Sequence, residues 1–186
     1  MKAIIISGMP AVGKTTVSRQ VAAELRIPLV GGGDVLKEMA VEEGYTPGGE
    51  DWWDRGEGMK FLQQRKKSPD FDKEVDARLI QKTKTGGVVI TSYPVPWLTN
   101  DGFKVWLSGS VNSRAARMAR RDGLAVSRFR EVLSIRDREN YKLYKKIYGI
   151  EFGRDLKPFD LVVETDAIDE VKVAQIVIQY VKSRRD

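Results

Sequence analysis

Gly8-Met9-Pro10-Ala11-Val12-Gly13-Lys14-Thr15 stands directly behind the apolar run Ala3-Ile4-Ile5-Ile6. It spells the phosphate-binding pattern G-x-x-x-x-G-K-[ST]. A loop of this kind must wrap closely round the β-phosphate of a nucleoside triphosphate. Glycines allow the approach, and successive backbone N–H groups point inward at the anion. Lys14 then reaches the β- and γ-phosphates, and the Thr15 hydroxyl becomes a ligand to Mg2+. The flanks decide whether the spelling has this meaning. A strand-like run precedes it, and Val17, Val21 and Leu25 recur every four residues behind it, the stripe of a helix whose positive end faces the phosphates. The alternative is a glycine-containing turn with a surface lysine. The expected nucleotide contacts are Gly8, Met9, Pro10, Ala11, Val12, Gly13, Lys14, Thr15 and Thr16.

Outward from the loop, short apolar runs alternate with helical patterns, the signature of a parallel sheet with helices on both faces. Five strands are expected at residues 2–7, 27–30, 87–90, 103–107 and 161–163, the third of them central because it is apolar throughout. Helices are expected at 14–25, from an N-cap at Asp34 to about 43, and from Ser68-Pro69-Asp70 to about 83. A charged helical stretch carries Trp52, Trp53, Met59, Phe61 and Leu62. Two basic helices fill 113–148 with a break at Gly123, and a last helix carries Val171, Ala174, Ile178 and Val181. Trp106 belongs to the core, and Trp52, Trp53 and Trp97 to core or interface. The loops at 8–15, 31–34 and 91–96 leave the carboxyl ends of strands and should meet at one crevice.

The 186 residues suit one domain. No apolar stretch is long enough for a membrane span, and no basic start leads an apolar leader, so a cytoplasmic location is expected. With no cysteine and no histidine, thiol catalysis, disulfides, Cys/His zinc sites and histidine acid–base chemistry are excluded. Chemistry must come from Lys, Arg, Asp, Glu, hydroxyls or a hard metal ion. The net charge of +6 raises the question of nucleic acid. Many arginines, however, fall between Arg114 and Arg138 with no stripe of interleaved aromatics, which argues against a polynucleotide partner.

Arg114, Arg117 and Arg121 share one helix face, and Arg136 and Arg138 follow on the next helix. Phosphoryl transfer is accelerated by cations that neutralise the moving group, and an arginine-rich lid would supply them. A solvated basic face is the alternative. Asp34 either caps its helix or lies beside Mg2+ and the acceptor, and the two are compatible. Asp76 and Arg78 stand two apart on a helix and point in different directions, so they are not a local pair.

The loop at 8–15, Gly33-Asp34-Val35, Phe71-Asp72-Lys73-Glu74-Val75-Asp76-Ala77-Arg78, Arg121-Asp122-Gly123, Arg136-Asp137, Tyr148-Gly149-Ile150 and Phe159-Asp160-Leu161-Val162 occur in this order. In this the chain resembles the archaeal-type cytidylate kinases. The resemblance implies a P-loop kinase fold with a helical acceptor-binding insert at about 34–83, an arginine-rich lid within about 113–148, and transfer of the ATP γ-phosphate to CMP or dCMP with Mg2+. It implies that Lys14 and Thr15 hold phosphate and magnesium, that Arg117 lies against adenine, and that Arg121 and Arg136 bridge donor and acceptor phosphates. Asp34 and Arg78 would face the acceptor. Two positions depart from the pattern: Lys37 stands where an arginine is usual, and Thr91-Ser92-Tyr93 replaces Glu-Gly-Arg, so Lys37, Ser92 and Tyr93 become the acceptor contacts to examine.

The expectation is therefore a monomeric or weakly oligomeric kinase with Lys14, Arg121 and Arg136 at the reaction centre and Thr15 and Asp34 near the metal. Two alternatives stand beside it. One is a kinase of the same fold that phosphorylates a hydroxyl, with Asp34 positioning or deprotonating the alcohol. The other is a non-catalytic nucleotide- or RNA-binding protein.

Overall fold

Side chains alternate along a strand, so successive residues of Ile4, Ile5 and Ile6 enter opposite faces of a sheet, and all three are fully buried. The computed structural model describes residues 1–47, 70–123 and 125–184. Its sheet has five parallel strands, β1 (Ile4–Gly8), β2 (Leu29–Gly31), β3 (Val89–Thr91), β4 (Phe103–Ser108) and β5 (Leu161–Glu164), in the order β2-β3-β1-β4-β5. Ile5 pairs with Ile90 on one side and Lys104 on the other.

Helices α1 (Lys14–Leu25) and α7 (Glu170–Ser183) cover one face, where Val17 and Val21 of α1 and Val173, Val177 and Val181 of α7 meet Ile4, Ile6, Val105 and Leu107. Helices α2 (Gly32–Glu42) and α3 (Asp70–Thr85) cover the other, packing Val35, Met39, Val75 and Leu79 against Ile5 and Ile90. The short α4 (Val95–Leu98) follows β3. The basic pair α5 (Val111–Asp122) and α6 (Val126–Tyr148) is joined by its own small core of Ala115, Met118, Phe129 and Leu133. Trp106 packs with Tyr144, Ile150 and Phe152 in a separate aromatic cluster.

The central strand is β1, and β3 lies between it and β2, so an all-apolar sequence marked an interior strand without marking the middle one. β2 starts two residues later than expected because Pro28 has no N–H to give; only its carbonyl enters the ladder, accepting from Val89. β3 also starts two residues late. Gly86 and Gly87 have φ 67 and 60, a turn conformation, and a Cβ on Gly86 would lie 2.5 Å from the Met1 carbonyl oxygen. The helix expected to be capped at Asp34 begins at Gly32, with Asp34 inside its first turn. α4 lies where a plain loop was expected. The tryptophan-bearing stretch around Trp52 and Trp53 lies outside the described residues. Among those described, no helix is long and apolar enough to cross a membrane.

Candidate functional site

The loop leaving β1 depends on unusual backbone geometry. Gly8 has φ 154, and a Cβ there would lie 2.5 Å from the Leu107 carbonyl oxygen and 2.9 Å from Val12 Cγ1, so any side chain would force β4 away. Ala11 is left-handed at φ 62, a conformation that costs a residue with a Cβ about 1–2 kcal/mol. Such turns direct consecutive N–H groups into one concavity. Gly13, at φ 101, is the N-cap of α1 and supplies no side-chain cap, which leaves the first N–H groups of the helix to an anion.

Lys14 is half-buried, and its Nζ donates to the carbonyls of Gly8 at 2.8 Å and Met9 at 3.0 Å. It also sits 4.3 Å from the centre of the Tyr93 ring. Burial pushes its pKa down to about 7; repulsion from Arg136 and Arg114 adds to this, and Asp137 opposes it. Thr15 and Thr16 follow, exposed, on the first turn of α1. Among the described residues no three acidic, His or Cys side chains cluster to hold a metal. Mg2+ in a triphosphate site takes one or two protein oxygens beside phosphates and water, and a hydroxyl such as that of Thr15 could serve as one.

Arg114, expected among the cations of an arginine-rich lid, and Asp137, to which the sequence reading gave no role, fix this loop from α5 and α6. Arg114 on α5 is buried and meets Asp137 on α6 in a bidentate pair of 3.0 and 2.7 Å. The same guanidinium donates to the Pro10 carbonyl at 3.1 Å and to Gly109 at 3.1 Å, so α5, α6 and the loop share one anchor. Asp137's chain neighbour Arg136 is exposed, and its charge acts on both Lys14 and the Tyr93 phenol. Tyr93 is fixed by Ser7 Oγ, which donates to its carbonyl at 2.9 Å, and by Phe152, edge-on at 5.7 Å. Burial raises its phenol pKa, and Arg136 acts the other way. Ser92 is buried and its Oγ accepts the Val95 N–H at 3.3 Å, which secures the start of α4.

The arginines of α5 thus have three different surroundings. Arg114 is the buried anchor. Arg117 lies along the loop's far wall and donates to the carbonyl of Val12 at 3.4 Å and to Thr165 Oγ1 at 3.1 Å and carbonyl oxygen. Arg121 is exposed and pairs with the adjacent Asp122 at 2.6 Å, with no loop contact comparable to that of Arg114 or Arg117.

At the carboxyl end of β2, Asp34 Oδ2 accepts the Gly31 N–H at 2.7 Å, the reciprocal half of a helix cap. It is exposed and lies where β2 ends beside Thr91 of β3. Lys37 is half-buried one turn further along α2. Arg78 is engaged by two carboxylates, Glu42 at 2.6 and 2.7 Å and Glu74 at 2.8 Å. These hold the arginine charged and pull the Glu42 carboxyl below its ordinary range. Asp76 does not pair with Arg78; it is buried and accepts the Tyr148 hydroxyl at 2.7 Å, joining α3 to the end of α6. The structure therefore brings Lys14 and Tyr93 together at the loop under the charge of Arg136, holds Ser92 at the start of α4, and leaves Arg78 and Arg121 in exposed ion pairs.

Leu133 faces the α5–α6 core, and Asp137 stands four residues further on the same face. That spacing was the available signal that Asp137 points inward and would need a cation.

A family model described as "Cytidylate kinase-like family" matches residues 3–167. The chain is 31% identical over 182 residues to a cytidylate kinase of Pyrobaculum arsenaticum, covering 97% of this chain and 92% of that protein. In fold it is similar to an uncharacterized protein from Eubacterium ventriosum, with TM-score 0.72 at 17% identity, covering 98% and 99% of the two chains. It is similar also to a shikimate kinase from Acinetobacter baumannii, with TM-score 0.59 at 19% identity, covering 100% and 95%. At these identities the solved structures speak for the fold alone, that of the P-loop kinases.

Proposed function

The chain belongs to the cytidylate kinase-like family and is an ATP-dependent kinase, and from that premise we propose that it transfers the ATP γ-phosphate to CMP or dCMP. The observation that carries the reading is Lys14, held by the Gly8 and Met9 carbonyls in a loop whose backbone is shaped for phosphate, with the charge of Arg136 acting on it. The likeness to curated cytidylate kinases along nearly the whole chain supports CMP as the acceptor. An acceptor phosphate oxygen forms the new bond to the γ-phosphorus, the bond from that phosphorus to the β–γ bridging oxygen breaks, and ADP leaves. The acceptor phosphate is already a nucleophile at neutral pH, so a chain without histidine lacks nothing.

In this reading Gly8, Met9, Pro10, Ala11, Val12, Gly13, Thr15 and Thr16 cradle the donor phosphates, and Lys14 and Arg136 neutralise the charge on the moving group. Thr15, with Asp34 near it, would hold Mg2+, which would supply neutralising charge for the donor phosphates. Arg117 lies against the adenine, and Arg121 turns from Asp122 to the phosphates when the nucleotides are bound. Asp34, Lys37, Arg78, Ser92 and Tyr93 face the acceptor, Arg78 after exchanging carboxylate for substrate. The assembly is a monomer or weak oligomer of one domain, working in the cytoplasm.

One observation favours a second reading, a hydroxyl acceptor. Tyr93 puts a neutral phenol where the resemblance leads one to expect an arginine for the acceptor phosphate. An assay of ATP and Mg2+ with a panel of nucleoside monophosphates, nucleosides and sugars decides between them. CMP and dCMP should give the highest kcat/KM; phosphorylation of a nucleoside or sugar with CMP left unchanged would replace the first reading by the second.

A further inference from the structure

The carbonyls of Pro10 and Val12 both face α5. Arg114 donates to the first at 3.1 Å, and Arg117, one turn further along the helix, to the second at 3.4 Å. The guanidinium of Arg114 is buried and fixed on two more sides, by the bidentate pair with Asp137 and by the Gly109 carbonyl, which accepts from its Nε. A trans peptide points its C=O and the following N–H in opposite directions, and the Pro10–Ala11 peptide is trans. With its oxygen drawn to Arg114, the N–H of Ala11 is turned away from α5. Ala11 is held from the same side by its methyl group, which packs against the core of Ala115, Met118, Phe129 and Leu133 between α5 and α6. Its left-handed φ of 62 disfavours any residue with a Cβ, so this peptide keeps its orientation only while those contacts last.

We propose that Arg114 is a positioning residue for nucleotide binding: by holding the Pro10 carbonyl toward α5, it presents the Ala11 N–H to the donor phosphates. This rests on the reading of the loop as the ATP phosphate site and gives a part in that site to a side chain buried behind it. The part is separate from joining the lid helices, which the Arg114–Asp137 pair does by itself.

The test measures binding of inorganic tripolyphosphate, which probes the loop without adenine, by calorimetry. Arg114→Lys keeps a charge beside Asp137 and loses the fork that also reaches Pro10. Its Kd for tripolyphosphate and its KM for ATP should rise about tenfold, as for loss of one hydrogen bond to a charged group, with KM for CMP within about twofold of the parent. Asp137→Asn loosens the lid pair and leaves the Pro10 contact. It should lower the unfolding midpoint yet bind tripolyphosphate no more weakly than the parent. Unchanged affinity in Arg114→Lys, or equal weakening in both variants, would overturn the proposal. The parent protein gives a reading that needs no variant: in 1H–15N spectra, tripolyphosphate should move the Ala11 amide proton downfield together with those of Lys14 and Thr15. Shifts at Lys14 and Thr15 with Ala11 unmoved would overturn the role of Arg114 and leave the phosphate loop intact. No shift at any of the three would remove the reading of the loop, and this proposal with it.

Discussion

Two arginines, one behind the phosphate loop and one on α3, are both paired with carboxylates, yet their surroundings differ. The side chain of Arg114, behind the phosphate loop, is 3% exposed and makes four hydrogen bonds, two to Asp137 and two to backbone carbonyls. That of Arg78, on α3, is 29% exposed, and its partners Glu42 and Glu74 are 58% and 50% exposed. The first pair is part of the core. The second sits in water, where an ion pair contributes about 0–1 kcal/mol and gives way to a better anion. The pair behind the phosphate loop is thus built during folding, while Arg78 holds its charge in exposed pairs that an arriving anion can displace.

The contrast breaks most visibly at the anchor. Arg114→Ala leaves Asp137 without its partner beneath the lid helices and should lower unfolding free energy by about 3–5 kcal/mol in denaturant titrations. A loss below about 1 kcal/mol would place the pair in the same class as Arg78–Glu42. Next comes Lys14→Ala, which should lower kcat by a hundredfold or more, about 2.7 kcal/mol, in a protein that still folds. Steady-state rates within a few-fold of the parent would show that the loop is not the reaction centre.

On the acceptor side the expected effects are small. Glu42→Gln frees Arg78 from one carboxylate; stability should change by less than about 1 kcal/mol and KM for the acceptor should fall by up to about fivefold. A rise in acceptor KM would mean that Glu42 orients Arg78 for the substrate. The smallest signal is a proton. In the free protein Lys14, with its pKa pushed down to about 7, is an ammonium below that pH and mostly neutral at pH 8. Polyphosphate binding raises that pKa again. Calorimetry in buffers of different ionisation enthalpy should therefore show ATP binding take up close to one proton at pH 8 and almost none at pH 6. Equal uptake at both would place the Lys14 pKa elsewhere.

Legibility in the sequence follows the same divide. The loop, α1 and the parallel sheet could be read because they depend on local rules: glycine where φ is positive, an apolar stripe every four residues, apolar strands between helices. Strand starts shifted at Pro28 and at Gly86 and Gly87 for reasons written in those residues. The order of strands was not legible, because apolar content reports burial and not rank in the sheet. Nor was the fate of the arginines. Arg114, Arg117 and Arg121 have the same spacing rule, and what separates them is Asp137, Thr165 and Asp122, two of which lie far along the chain. Glu74–Arg78 was visible as a pair four residues apart, whereas Glu42, 36 residues from Arg78, required the packing of α2 on α3.

Transfer to a phosphate rather than to a hydroxyl is the centre of this account, and 31P NMR distinguishes the two products directly. The protein is mixed with ATP, Mg2+, CMP and a pool of nucleosides and sugars, and the spectrum is followed in time. The account predicts that ATP resonances give way to the paired diphosphate signals of ADP and CDP as the CMP signal disappears. A growing phosphomonoester resonance with CMP unchanged would contradict it.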